Sequence, residues 1–136
     1  MFGGDRKAQF RKQCEKDLNG FLIAQQRIVL PTSSSPQVSI LIVLYNAAEL
    51  SFRLFRSLAD TIDIPCEVIV IDNASGDRTQ DLCARIDGAR IVRNAENLHF
   101  LRAANQAAAL AQGSALLFLN SDVELDRRAI RNAWPS

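Results

Sequence analysis

Apolar positions recur along the chain with two different periods, and each period predicts a different element. Over residues 5–26, Phe10, Cys14, Leu18, Phe21 and Leu22 fall on one stripe at helical spacing with the basic residues off it, which predicts an amphipathic helix. Most such helices pack on their own domain, and a membrane-surface or partner role is the minority case. Pro31-Thr-Ser-Ser-Ser-Pro36 has linker composition and separates this helix from the rest. From residue 38 the pattern changes. The run 38–44, β-branched and apolar but for Ser39, predicts a strand buried on both faces. Residues 48–62 read as a helix with Leu50, Leu54, Phe55, Leu58 and Ile62 on one side, punctuated by Pro65. A second buried strand is expected at 67–71, then a short helix at 79–86 turning Leu82, Cys83 and Ile86 inward, and a third strand at 90–92. An alanine-rich helix over 100–112 is expected to stop at Gly113 in the C-cap position. Residues 115–119 give a fourth strand and 126–134 the start of a last helix.

Strands alternating with helices imply right-handed crossovers, a parallel sheet and helices on both faces. In such sheets ligands bind outside the carboxyl ends of the strands. Three of those ends carry polar and acidic clusters: Tyr45-Asn46, then Asp72-Asn73-Ala74-Ser75-Gly76-Asp77, then Asn120-Ser121-Asp122-Val123-Glu124. No G-x-G-x-x-G follows the first strand and no G-x-x-x-x-G-K-[ST] occurs anywhere, which argues against dinucleotide and P-loop sites. A carboxylate edge without a phosphate loop favours a divalent cation that carries phosphates. Oxygen ligands such as Asp122 suit Mg2+ or Mn2+, and the lack of a His/Cys cluster disfavours zinc.

Composition narrows the class. The chain has 136 residues, 48% apolar and 23% charged, the profile of one soluble globular domain. Its longest apolar run, 40–45, falls far short of the roughly 20 residues a membrane span needs. The first residues lack the apolar stretch of a secretory signal. Three scattered cysteines (Cys14, Cys66 and Cys83) form no paired spacing, which suits a reducing cytoplasm. The net charge of +1 hides a segregation: residues 1–30 carry +3, residues 31–126 carry −5 and residues 127–136 carry +3. An acidic centre is a poor surface for nucleic acid.

Four motifs in order, VSILIVLYN at 38–46, EVIVIDNASGD at 67–77, NAENL at 94–98 and LLFLNSD at 116–122, resemble the nucleotide-sugar-binding half of family 2 glycosyltransferases. The resemblance covers about residues 36–134. It implies a GT-A fold, that is, a Rossmann-like α/β parallel-sheet half-domain over 38–136, behind a helical segment at 1–30 and a linker at 31–37. It implies that Tyr45 and Asn46 line the nucleoside pocket and that Asp72 accepts a hydrogen bond from the base. It likewise implies that Asn97 and Asn105 lie along the ribose and diphosphate. Asn120-Ser121-Asp122 varies the family's Asp-x-Asp motif, with Asn120 beside the donor and Asp122 on a Mn2+ or Mg2+ ion bridging the phosphates. The donor would be a UDP, GDP or dTDP sugar and the acceptor a hydroxyl, attacked with inversion. The resemblance further implies a role in cell-surface polysaccharide or glycolipid synthesis, in the cytoplasm or at the inner face of the membrane.

Plainer roles compete. Asp72 and Asn73 taken alone could form only an Asx-turn, Asp77 is read as a cap for the helix near Thr79, and Tyr45 could be a strand-end aromatic. Asp122 could be a turn carboxylate, and Glu124 and Asp126 read as solvated or capping groups. The lone His99 has no catalytic partner placed beside it. Family members usually carry glycine at the positions of Arg78, His99 and Ala107, and a carboxylate at Asn120, which puts diphosphate affinity in question. The family's general base has no counterpart through Ser136, so it is expected beyond that residue and turnover by this chain is expected to be weak or absent. Two other classes stand beside a transferase: a non-catalytic nucleotide-sugar-binding or interaction module, and, more weakly, a sugar nucleotidyltransferase. An uncovered sheet edge could also pair two copies of the chain.

Overall fold

The computed structural model describes residues 2–122 and Ile130. A long helix, α1 (Phe2–Ile23), leads into a two-residue strand, β1 (Ile28–Val29). Then come β2 (Val38–Leu44), α2 (Ala48–Thr61), β3 (Cys66–Asp72), α3 (Thr79–Cys83), β4 (Ile86–Asp87), β5 (Ala89–Arg93), α4 (His99–Leu110) and β6 (Ala115–Leu119). Four strands pair in parallel in the order β5-β3-β2-β6. The chain enters at β2, moves outward through β3 to β5, and α4 carries it back across the sheet to β6 on the other side of β2. The strand order therefore reverses beside β2, where the carboxyl-end rule places a ligand.

The two central strands are buried almost throughout, as their apolar stretches 40–44 and 68–71 require. Alternation divides their side chains between two layers. Ile40, Ile42, Val68 and Val70 face one cluster with α1 and α2, while Leu41, Ile69 and Ile71 face a smaller one closed by Ala103 and Ala107 of α4. The helix α2 is covered twice, by the sheet and by α1. Phe52 therefore lies buried with its ring 4.8 Å from Phe21, whereas Leu50, expected in the core stripe, is only half-buried. Cys14, Leu18 and Phe21 are the buried positions of the α1 stripe, and Phe10 stays 43% exposed.

Two expectations change. The helix read at 79–86 ends at Cys83, because Ile86 pairs with Ile28 in a second, two-stranded parallel sheet of β1 and β4. Gly113 is not a C-cap. The helix α4 ends with Ala111 in an extended conformation, and Gly113 is required because a Cβ there would lie 2.9 Å from the backbone of Val38 and Ser39. Gly88 does the work of a left-handed glycine instead, at φ 89° with Leu30 O where a Cβ would sit. The helix expected at 126–134, with Glu124 and Asp126, lies outside the described residues apart from Ile130, which is buried in the α1–α2 cluster.

Candidate functional site

Parallel register puts Leu44 opposite Asp72 and Asp72 opposite Arg93, at the carboxyl ends of three neighbouring strands. Asp72 is 2% exposed, so its charge must be met from within. Its Oδ1 accepts from the Ser75 N–H at 3.0 Å and the Ser75 hydroxyl at 2.6 Å. Its Oδ2 accepts from Arg93 Nη1 at 2.7 Å, and Arg93 Nη2 donates to Ser75 O at 3.1 Å. Asp72 thus closes a local turn at Ser75, three residues on rather than the two of an Asx-turn, and three of its acceptor positions are taken inside the protein.

The same Ser75 hydroxyl accepts from the Asn46 N–H at 2.8 Å, and Asn46 Oδ1 accepts from the Gly76 N–H at 2.8 Å. These bonds hold Asn46 and Ala47 in the left-handed region, at φ 56° and 57°, a conformation that costs a non-glycine residue about 1–2 kcal/mol. Asp77 completes the lacing. Its Oδ2 accepts from the Ala48 N–H at 2.9 Å, and its Oδ1 from the Thr79 N–H at 3.0 Å and the Thr79 hydroxyl at 2.6 Å. One carboxylate thereby satisfies the first turns of two helices. Burial works to raise the Asp77 pKa, but the bonds from Thr79 and Ala48 prevail and hold it below the usual carboxylate value.

A second network ties β3 to α4. Asn73, 1% exposed, accepts at Oδ1 from Asn94 Nδ2 at 2.9 Å and from the Leu98 N–H at 3.3 Å, and donates from Nδ2 to His99 O at 3.1 Å. Asn94 and Gln106 exchange a reciprocal amide pair at 2.9 Å. Asn97 Oδ1 accepts from the His99 N–H at 2.8 Å, and His99 takes φ 63°. The histidine keeps a glycine-like backbone here, because its N–H and C=O are both held. Ala107 is fully buried against the sheet, and Arg78 has an ordinary φ of −86°.

The structure brings Asn46, Asp72 and Asn97 into one laced edge. Tyr45 stands exposed beside it at the end of β2, and Asn105 lies exposed on α4. Asn120 and Asp122 follow β6, on the other side of β2 from Asp72, and both are exposed. Asp122 shares a 360 Å³ cavity with Arg6, Lys7, Phe10, Arg11 and Leu50. Among the described residues no three His, Cys, Asp or Glu side chains gather closely enough to hold a metal by themselves. One exposed carboxylate still fits Mg2+ or Mn2+ when a diphosphate supplies the other oxygens. Sequence reasoning missed Arg93, Asn94 and Gln106 as site residues. Arg93 could have been found by setting the strands in register, and Asn94 belongs to a motif already noted. No local signal marks Gln106.

Residues 39–135 match the family described as glycosyl transferase family 2. The chain belongs to this family. Among curated relatives of this glycosyl transferase family 2 chain, a TPR repeat-containing protein of Synechococcus elongatus is 37% identical over 98 residues, covering 72% of this chain and 22% of the relative. An uncharacterized protein of Mycobacterium tuberculosis is 27% identical over 100 residues, covering 72% of this chain and 31% of that protein. The fold is similar to TarS 1-349 of S. aureus, at TM-score 0.63 and 25% identity over 71% of this chain and 31% of that one. It is also similar in fold to the mannosyltransferase PcManGT of Pyrobaculum calidifontis, at TM-score 0.57 and 21% identity, covering 85% of this chain and 34% of that one. The chain thus spans about a third or less of the length of the proteins it matches. No helix among the described residues is long and apolar enough to cross a membrane.

Proposed function

We propose that this chain is the donor-binding portion of a glycosyltransferase that moves a sugar from a nucleoside-diphosphate sugar to a hydroxyl acceptor. The observation that carries the reading is the convergence of the β2, β3 and β5 end loops, locked into one edge by the Asp72, Asn73 and Asp77 bonds, in a chain of this family. It gains support from TarS, whose structures include complexes with UDP-GlcNAc and with UDP, and from PcManGT, solved with GDP-Man and Mn2+. The domain at 38–136 carries the donor, with the segment 1–30 added in front of it through the linker at 31–37. Tyr45 and Asn46 flank the nucleoside. Asp72 meets the base with its one acceptor position not used by Ser75 or Arg93. Asn97, Asn105 and Asn120 lie along the ribose and diphosphate, and Asp122 holds a Mn2+ or Mg2+ ion. Such an ion neutralises charge on the departing nucleoside diphosphate. The reaction inverts the anomeric carbon and serves cell-surface polysaccharide or glycolipid synthesis. Three buried free thiols and a basic first helix suit a cytoplasmic site at the inner face of the membrane. The exposed β6 edge, with Leu116 and Phe118 about half exposed, is where a second copy would pair.

Calorimetry with UDP, GDP and dTDP, with and without Mn2+, tests the reading. One of the three should bind, more tightly with the metal, and Asp122→Ala should erase the metal effect. Absence of binding to all three removes the donor site. Binding that keeps its metal dependence in Asp122→Ala removes Asp122 as the ligand.

A further inference from the structure

The family match begins at residue 39, and α1 stands in front of it. Cys14, Leu18 and Phe21 are its buried positions, but two of its polar side chains reach past the core to the loops of the donor edge. Arg11 donates from Nε to Glu49 Oε1 at 3.2 Å and from Nη2 to the same oxygen. Glu49 is buried in the first turn of α2, so its charge needs that partner. Asn19 Oδ1 accepts from Arg78 Nη1. Glu49 follows Ala48 in the chain and Arg78 follows Asp77, and the bond from the Ala48 N–H to Asp77 Oδ2 joins those two loops. The helix α1 therefore grips the chain beside both ends of that bond. A 260 Å³ cavity lined by Glu15, Leu18, Ala48 and Asp77 opens between α1 and the loops, so polar bonds rather than continuous packing span the gap.

We propose that α1 braces the donor edge from behind and that Arg11 and Asn19 are positioning residues for donor binding. Asn46 and Ala47, directly before the gripped turn, keep left-handed backbones, and such conformations persist only where the surroundings over-determine them. Without Arg11 the buried Glu49 carboxylate loses its ion pair and is driven toward water, which draws the first turn of α2 away from Asp77. Without Asn19 the grip on Arg78, and so on the Asp77 end of the bond, is released. Asn46 then loses the setting in which it flanks the nucleoside; this last step rests on the donor reading above. Both Arg11 bonds end on one oxygen, so the contact is that of a point charge, which a lysine ammonium also supplies.

Amide hydrogen exchange followed residue by residue tests the brace in Arg11→Met, Asn19→Ala and Arg11→Lys. The Ala48 and Gly76 amides are held by Asp77 and Asn46. They should exchange at least about fivefold faster in Arg11→Met and in Asn19→Ala, the low end of coupling between sites, while the Ile69 and Val70 amides of β3 keep their protection. Affinity for whichever of UDP, GDP and dTDP binds the wild-type chain should fall by the same factor or more, and Arg11→Lys should restore both readouts. Asn19 makes an exposed contact, so its variant keeps the test open if Arg11→Met fails to fold. Unchanged exchange at Ala48 and Gly76, or equal acceleration at Ile69 and Val70, overturns the brace. Unchanged nucleotide affinity in a variant whose edge has loosened overturns the positioning role. Faster edge exchange in a chain that binds none of the three nucleotides supports the brace and overturns the donor reading instead.

Discussion

Asp72 can be separated into a structural and a binding residue by measurement. Asp72→Ala leaves the Ser75 N–H and hydroxyl without their acceptor in a buried turn and leaves Arg93 without its carboxylate. A buried donor left unmet costs about 1–3 kcal/mol. Removing one partner of a fully buried ion pair costs about 3–5 kcal/mol. Arg93 is 39% exposed, so water takes over part of its solvation and the ionic share falls toward the surface range. The sum expected for Asp72→Ala is about 3 kcal/mol, and about 1–2 kcal/mol for Arg93→Met, where the carboxylate retains Ser75. In urea, with a slope of about 1–3 kcal/mol/M for a chain of this size, Asp72→Ala should lower the midpoint by about 1–3 M. The double variant should be less destabilised than the sum of the singles by about 1–2 kcal/mol, since the second substitution removes a bond already gone. A coupling near zero would refute the claim that Arg93 holds Asp72. If Asp72→Ala is as stable as wild type yet loses UDP, the carboxylate belongs to the ligand and the turn bonds add little.

Other consequences are cheaper to test. Asp77→Ala should cost about 2 kcal/mol in thermal or urea unfolding, since caps are worth about 1 kcal/mol each and two are lost. Because the Asp77 pKa is lowered from 3.8 in the folded state, its contribution is complete above that value and is lost as pH falls through the folded pKa; Asp77→Asn should flatten the acid limb of stability against pH. Burial raises the thiol of Cys66 to about 11 and that of Cys83 to about 12. The unfolded thiols ionise first as pH rises through about 9, so stability should fall there, and replacing both with alanine should remove that share of the fall. Both thiols should resist a disulfide reagent at neutral pH until the chain unfolds, and rapid labelling of the native protein would contradict their burial. Gly113→Ala should destabilise by about 1–3 kcal/mol through contact with the Val38–Ser39 backbone, and a neutral result would show that this approach can relax.

How legible the molecule was depends on how local each signal is. The strands β2 and β3 carry their burial in their own apolar runs, and the end loops declare themselves as polar clusters directly after those runs. By contrast β1 and β4 have two residues each, too few to show any period, and exist because Ile28 and Ile86 meet across 58 positions of chain. Gly113 was misread for a related reason. A glycine after a helix looks the same in sequence whether it supplies a left-handed turn or room for another strand's backbone, and only the return of α4 across the sheet decides. Phe52 was missed because a stripe drawn for one covering surface cannot foresee α1 covering the other side of α2. The site divides along the same line. Asn46, Asp72 and Asn97 stand in the loops that the motifs mark, but what holds them does not: Arg93 reaches Asp72 through strand register, and Gln106 reaches Asn94 from a helix. The placement of Arg6 and Lys7 beside Asp122 is the extreme case, with more than a hundred residues between them and no periodicity linking them. Residues that face a ligand keep polar character visible in any sequence, whereas those that position them are chosen by the fold and become recognisable only once the strands are set side by side.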